Sequence, residues 1–389
     1  MADTTSPASS IIAKVKNLSP ITAHFAGGIM FLFLFLCIVA VVVYKTNLQE
    51  SNDEYMASLY PSVAPLTPIN ESDDKFSYLL RDYYVKTAYN CCSSGDYSGD
   101  YVSVGALSTV ISQGARCLDF EIYSVGGAPV VSTSSQTEYT LKETYNYVAL
   151  SEAFDVIQSS AFSGQPKCPV PSDPLFICLR IKSNNMLIFN EIAKLIESKF
   201  ASRLLDSRYG YGYNGGNLGQ VKLTNFMNKV IIIMDETPST NAVSTEASTL
   251  YKKTALFEYV NMIIHGPTSK KTFAEVAAPT PSSSELVEYT KKNIVYVVPE
   301  RSSKSENVND TALAITYGCQ FIAMSFQSDD ANINAYNTKF KDVGSAFILK
   351  PDNLRYVPLT IAPPNLTDPT RSLTSRMSGQ GPMGTTISG

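Results

Sequence analysis

The stretch Gly114 to Ser135, GARCLDFEIYSVGGAPVVSTSS, limits what the chain can fold into more than any other. It reads as two strands joined by a glycine turn. Side chains alternate across a strand. Cys117, Asp119, Glu121 and Tyr123 therefore share one face, and Leu118, Phe120 and Ile122 share the other. An apolar face of this kind packs under helices, which turns the acidic face into a barrel interior near its mouth. Two carboxylates side by side in a poorly solvated place repel each other and need a metal ion, a proton or fixed cations. An edge strand with both acids in water is the alternative that alternation alone leaves open.

The rest of the chain repeats the strand–helix rhythm. Leu80–Asn90 reads as the lead-in and first strand, and Leu175–Ser183, Lys229–Met234, Asn293–Pro299, Gln320–Phe326 and Ser345–Leu349 read as further strands. Val102–Gln113, residues 150–162 and Ile188–Leu205 have helical spacing, the last with Ile188, Ile192, Leu195 and Phe200 toward one side. Strands alternating with helices argue for an α/β chain with a parallel barrel. The loop YGYGYNGGNLG at 209–219 is glycine-rich, but it lacks the strand–GxGxxG–helix order and the lysine of a phosphate-binding loop.

Ahead of this lies Phe25 to Val43, a run without a charged residue. As a helix it is about 28 Å long, close to the thickness of a bilayer core. The run ends in VVVYKTNLQES rather than a small-x-small cleavage site, which favours an uncleaved signal anchor over a cleaved signal peptide. Lys14 and Lys16 precede it, so the expected topology is a single-pass membrane protein with a cytosolic N-terminus and the barrel on the other side. Residues 45–74, with Pro61, Pro65 and Pro68, read as a stalk. If flexible, it would reach about 30 Å.

Two bounds come from composition. A net charge of −4 argues against nucleic acid as a partner. The chain has only two histidines, His24 and His265. A reaction needing two imidazoles in one folded site therefore has no means here.

GARCLDFEI followed by APVV resembles the X half of the eukaryotic-type phosphoinositide-specific phospholipases C, and YGCQFIAMSFQSDD (Tyr317–Asp330) with FILKPDNLR (Phe347–Arg355) resembles their Y half. The likeness covers roughly residues 75–360. It implies a distorted TIM (β/α)8 barrel of the PLC-like phosphodiesterase type, here preceded by a single transmembrane helix. The expected divisions are a disordered tail at 1–20, a signal anchor at 21–44, the stalk at 45–74 and an X-like half barrel at 75–237. A linker region at 238–284, a Y-like half at 285–361 and a flexible tail at 362–389 follow.

The resemblance also implies a degenerate site. The family's two histidine positions fall on Tyr89 and Thr133, neither of which titrates near neutrality. Its calcium ligands fall on Asn90, Asp119, Glu121 and Lys182, so the last is a lysine where the family has a glutamate. On LFICLRIKS the polar face carries Arg180 and Lys182. If the apolar face again meets helices, both point at Asp119 and Glu121 and take over the electrostatic role of Ca²⁺, forming internal ion pairs; at the rim, they would reach solvent instead. The inositol-contacting positions fall on Tyr296 and Val298, and the phosphate-binding lysines after the last X strand are replaced by Asp235 and Glu236. Ser282–Ser284 with Glu285 matches the serine-rich substrate segment only weakly.

The expected protein is thus a membrane-anchored pseudoenzyme without cofactor or metal, acting on an unknown protein partner as a binding or structural module. Two rivals remain. One is a histidine-free phosphoric diester hydrolase using Asp119 or Glu121 as base with Lys182 or Arg180 as electrophile. The other is a structural membrane protein of a large virus. Cys117, Cys178 and Cys319 are expected as core thiols, with a bridge among Cys91, Cys92 and Cys168 as the open alternative. Asn70, Asn309 and Asn365 begin sequons.

Overall fold

The structure, a computed structural model, describes residues 20–136, 141–215, 218–236, 249–264, 268–278, 283–307 and 311–358. His265, Asn309, Asn365, Ser282 and the expected tail at 362–389 lie outside the described residues.

Eight parallel strands form the wall: β1 (Tyr83–Ala88), β2 (Cys117–Val125), β5 (Leu175–Ile181), β6 (Val230–Asp235), β7 (Val260–Ile264), β8 (Thr268–Thr272), β9 (Ile294–Val298) and β10 (Phe321–Met324), in that order and back to β1. β3 (Ala128–Val131) turns back on β2 through Gly126 and Gly127, both with positive φ, and β4 (Val148–Ala149) pairs with β3. β11 (Phe347–Leu349) runs antiparallel to the first half of β1. β10 occupies one edge of β1, so β11 and β2 divide the other; β2 keeps only Thr87 and Ala88 as partners there. A second thin seam lies between β7 and β8, joined at the single pair Ile264–Thr268.

The interior is filled as the alternation demands. Phe176 meets Phe321 with ring centroids 5.2 Å apart, Phe321 stacks on Tyr296 at 5.7 Å, and the Cys117 thiol lies 3.8 Å from the Tyr296 hydroxyl. Outside the wall the helices bury the expected stripes. α1 (Pro20–Leu59) comes first among the described residues, and α2 (Val104–Ser112) is capped by Ser103, whose hydroxyl accepts from Ala106 N. α3 (Leu150–Ser160) follows, and α4 (Met186–Phe200) buries Ile188, Ile192, Ile196 and Phe200 at one-turn spacing, with Leu195 only partly covered. α5 (Ser283–Lys292) and α6 (Ala331–Val343) complete the set needed here. All six cysteines of the barrel are free and buried.

Two segments differ from the sequence reading. The region taken as a stalk continues the helix of the apolar run without a break to Leu59, and the chain beyond it lies on the barrel, with Met56, Ala64, Leu66 and Ile69 buried. Three prolines among polar residues suit a stalk, but Ala64 N donates to Ser112 O and Ile69 N to the Asp173 carboxylate, so the strap is held by its backbone. The region taken as a linker holds β7 and β8. Short apolar VNMII and polar TSKKT carry too little periodicity to be told from loop, and only pairing with β6 and β9 makes them strands.

The two Y-half motifs are fastenings. Gln320 Nε2 lies 2.9, 2.8 and 3.0 Å from the carbonyls of Arg81, Thr290 and Asn293, and its Oε1 accepts from Val295 N at 2.9 Å. Lys350 donates to the Thr290 carbonyl at 3.0 Å, and its backbone N–H bonds Asp82 O. One buried amide thus joins the ends of α5, β9, β10 and the lead-in to β1. Gln320→Ala removes the acceptor of the Val295 N–H and the donor to the Arg81 and Asn293 carbonyls, leaving Thr290 O with Lys350, and is expected to cost about 2–3 kcal/mol, read as a lowered denaturation midpoint.

Candidate functional site

The mouth of the barrel, at the carboxyl ends of the strands, carries the titratable groups. β1 ends at Ala88, where Tyr89 N still pairs with Met324 O. Asn90 then turns the chain in the left-handed region at φ 44°, a conformation asparagine tolerates better than most residues. This turn drives the Asn90 side chain into the mouth, and its backbone N–H donates to Asp119 Oδ1 at 3.2 Å.

Asp119 and Glu121 project inward from β2, and Arg180 projects inward from the register-paired strand β5, where it stands opposite Glu121. The Arg180 guanidinium sits among them. Its Nε lies 3.1 and 3.0 Å from the two Asp119 oxygens, Nη2 lies 2.8 Å from Asp119 Oδ1, and Nη1 lies 2.9 Å from Glu121 Oε2. Nη2 also donates to the Asn90 amide oxygen. The other Glu121 oxygen accepts from the Tyr123 hydroxyl at 2.7 Å. Tyr89 lies across the guanidinium, ring centroid 4.6 Å from Cζ, and is met edge-on by Tyr97 at 5.7 Å. Arg180, Asp119 and Glu121 are 4%, 0% and 1% exposed, so water screens this cluster little.

The proton affinities follow. Burial by itself would raise the Glu121 carboxyl, but Arg180 and then Lys182 outweigh it and hold it below the usual range. For Arg180 burial pulls the affinity down, but the Asp119 charge and its neighbours raise it well above its ordinary value. Lys182, the residue after β5, is nearly buried. Desolvation pushes it down to about 8 against the pull of Glu121, with Arg301 and Arg180 adding to the fall. Burial raises the Tyr89 phenol to about 12.

The remaining positions singled out by sequence are brought close or sent elsewhere. Thr133 is buried, and its hydroxyl donates to Tyr97 O at 2.9 Å. Tyr296 points into the barrel core rather than the mouth, and Val298 is buried at the end of β9. Asp235 pairs with Lys270 at 2.5 Å, and Glu236 with Lys252 at 2.7 Å and with the Tyr251 hydroxyl. Sequence reading missed Tyr123 as the partner of Glu121, although it stands two residues on along the same face. It missed Lys270 because its strand was taken for linker.

Residues 241–353 match the family profile of the phosphatidylinositol-specific phospholipase C Y domain. Among solved structures the chain superposes on the L. pealei PLC21 with TM-score 0.58 at 16% identity, covering 75% of this chain and 40% of that one. The S. officinalis PLC21 gives TM-score 0.57 at 17% identity, covering 72% and 38%. No curated protein matches the sequence. The fold is that of the PLC-like phosphodiesterase barrel, and the chain spans about two fifths of the length of these PLC21 chains.

Proposed function

We propose that this PLC-type barrel is anchored in a membrane by α1 and is catalytically silent, acting as a binding or structural module. The observation that carries the reading is the Arg180 guanidinium among Asn90, Asp119 and Glu121, with Tyr89 and Thr133 where the family places imidazoles. Calcium takes about six to eight oxygens at about 2.3–2.6 Å. Here the carboxylate oxygens are already committed to a cation and to Tyr123, and Lys182 adds a second positive charge beside them. The residues present do not fit the ion. Neither tyrosine nor threonine shuttles a proton at neutral pH, and the Thr133 hydroxyl is engaged with Tyr97 O.

The anchor reading rests on α1, the one helix among the described residues long and apolar enough to cross a bilayer, whose most apolar stretch is not covered by the barrel. Lys14 and Lys16 before it favour a cytosolic N-terminus.

The test is calorimetry and turnover on the full chain in detergent, with calcium and phosphoinositide or lysophospholipid substrates. Neither calcium heat nor product is expected. Lys182, held near neutrality at about 8, is the observation that favours the rival, a histidine-free hydrolase. Turnover abolished by Asp119→Asn or Lys182→Ala would establish that rival and end the pseudoenzyme reading.

A further inference from the structure

The strap that joins α1 to the barrel is fastened at both ends of one exposed turn. On one side Ile69 is buried, and its N–H donates to the Asp173 carboxylate at 2.8 Å. On the other side Phe76 is buried against Tyr83, ring centroids 6.5 Å apart, and the Tyr83 hydroxyl donates to Lys75 O at 2.8 Å. Asp173 lies just before β5 and Tyr83 opens β1, so the turn sits at the amino ends of the strands, opposite the mouth. Between these fastenings Asn70, Glu71 and Ser72 are all exposed, as are Thr67 and Pro68 before them. Asp73 N donates to Asn70 O at 3.0 Å, and Ser72 N donates to Asn70 Oδ1 at 3.0 Å. The amide oxygen is engaged, while Asn70 Nδ2 makes no hydrogen bond among the described residues.

Asn70-Glu71-Ser72 is an Asn-x-Ser acceptor sequence with a residue other than proline in the middle. In a chain this rich in asparagine and serine the pattern alone says little. Its place in the fold says more, because a bulky polar saccharide is carried without cost only where it displaces nothing but water. The turn meets that condition at each of its three residues. It is also clear of the lipid. From Val43 to Leu59, α1 adds about 24 Å of helix, several times the headgroup layer of about 5–8 Å, before the strap begins.

We infer that Asn70 is a site of N-linked glycosylation, placing an oligosaccharide on the face of the barrel opposite its mouth. The inference rests on the topology given above, a cytosolic N-terminus with the barrel on the other side. The donor class is an oligosaccharide linked to a polyprenyl diphosphate. A bond forms between Asn70 Nδ2 and C1 of the first sugar. The bond from C1 to the diphosphate oxygen breaks, the polyprenyl diphosphate leaves with the electron pair, and Nδ2 gives up one proton.

The test is translation of the full chain into microsomes, read by gel mobility before and after peptide N-glycosidase. Asn17, Asn309 and Asn365, which begin the sequons outside the described residues, are first replaced by glutamine. One enzyme-sensitive shift is expected. It is lost in Asn70→Gln and Ser72→Ala and kept in Ser72→Thr. Two reporters in the Asn70→Gln chain separate the site from the topology. Val343→Asn, at the half-exposed end of α6, puts an acceptor two residues before Ser345, and Asp3→Asn puts one before the apolar run, two residues ahead of Thr5. If Val343→Asn is modified while Asn70 in its own chain is not, the topology stands and the glycosylation site is overturned. If Asp3→Asn is modified and Val343→Asn is not, the chain is inserted the other way round and the inference falls with the topology. If neither is modified and alkaline carbonate extracts the chain, the anchor reading itself falls.

Discussion

Replacing Arg180 with alanine is expected to destabilise the barrel by about 3–5 kcal/mol, because it takes from two buried carboxylates the guanidinium they share. Asp119 and Glu121 are almost wholly enclosed and share this one guanidinium, so no water shell replaces it. Denaturant melts of the full chain in detergent read the loss. Neutralising the acids in the same background, with Asp119→Asn and Glu121→Gln, is expected to recover much of it, since neither carboxyl then carries a buried negative charge. A further arm examines the role assigned to the guanidinium. In Arg180→Ala with Lys182→Glu, an all-oxygen set returns to the mouth, and calcium is expected to raise the melting midpoint while leaving the unaltered chain unmoved. A calcium-stabilised unaltered chain, or an Arg180→Ala variant as stable as the parent, would contradict the account.

Stability is expected to pass through a minimum near pH 7. Lys86 is fully buried between β1 and the helices, donates to Gln113 O at 2.7 Å and lies over the rings of Phe326 and Phe340. Burial pushes its ammonium down to about 7. Lys350 is pushed down to about 7, again chiefly by burial. Above pH 7 the folded chain has released these protons while the unfolded chain keeps them, so the unfolded state binds more protons and stability rises with pH. Between pH 7 and about 8.5 each lysine contributes about 2 kcal/mol. Asp173 works in the opposite sense. Its burial raises the carboxyl to about 7, and below that pH the folded chain holds a proton the unfolded chain has lost, so stability falls as pH rises toward 7. Above about pH 9 the buried thiols, whose affinities burial raises, reverse the upper limb because the unfolded thiols ionise first. Lys86→Met is expected to flatten the limb above pH 7 by about half, and Asp173→Asn the limb below it. A single broad maximum at neutrality in the parent chain would overturn the assignment. Lys182, pushed down to about 8, adds to the upper limb above that pH, and with two histidines in the chain few other groups titrate in this range.

Much of this architecture was legible in the chain itself. Alternation in CLDFEIY and LFICLRIKS placed Asp119, Glu121, Arg180 and Lys182 on the faces of two strands that avoid the helices, because a strand has only two faces and one was filled with leucine, isoleucine and phenylalanine. The scarcity of histidine limited the chemistry, and the charge-free run marked the long apolar helix α1. These are local properties, readable from composition and period alone.

Other features are relations between distant segments, which no local pattern encodes. That Arg180 is a cation shared by Asp119, Glu121 and Asn90 depends on the register of β5 against β2. That TSKKT is a barrel strand depends on β9, and that Gln320 is a clasp depends on carbonyls from Arg81 to Asn293. The strap at 60–74 reads as a stalk because proline and polar residues say nothing of what lies beneath them; its buried Leu66 and Ile69 acquire an apolar floor only once the barrel exists. Sequence determined the faces of the strands, since side-chain alternation is a property of the backbone, and tertiary structure decided which faces meet, since register and contact are properties of the closed barrel.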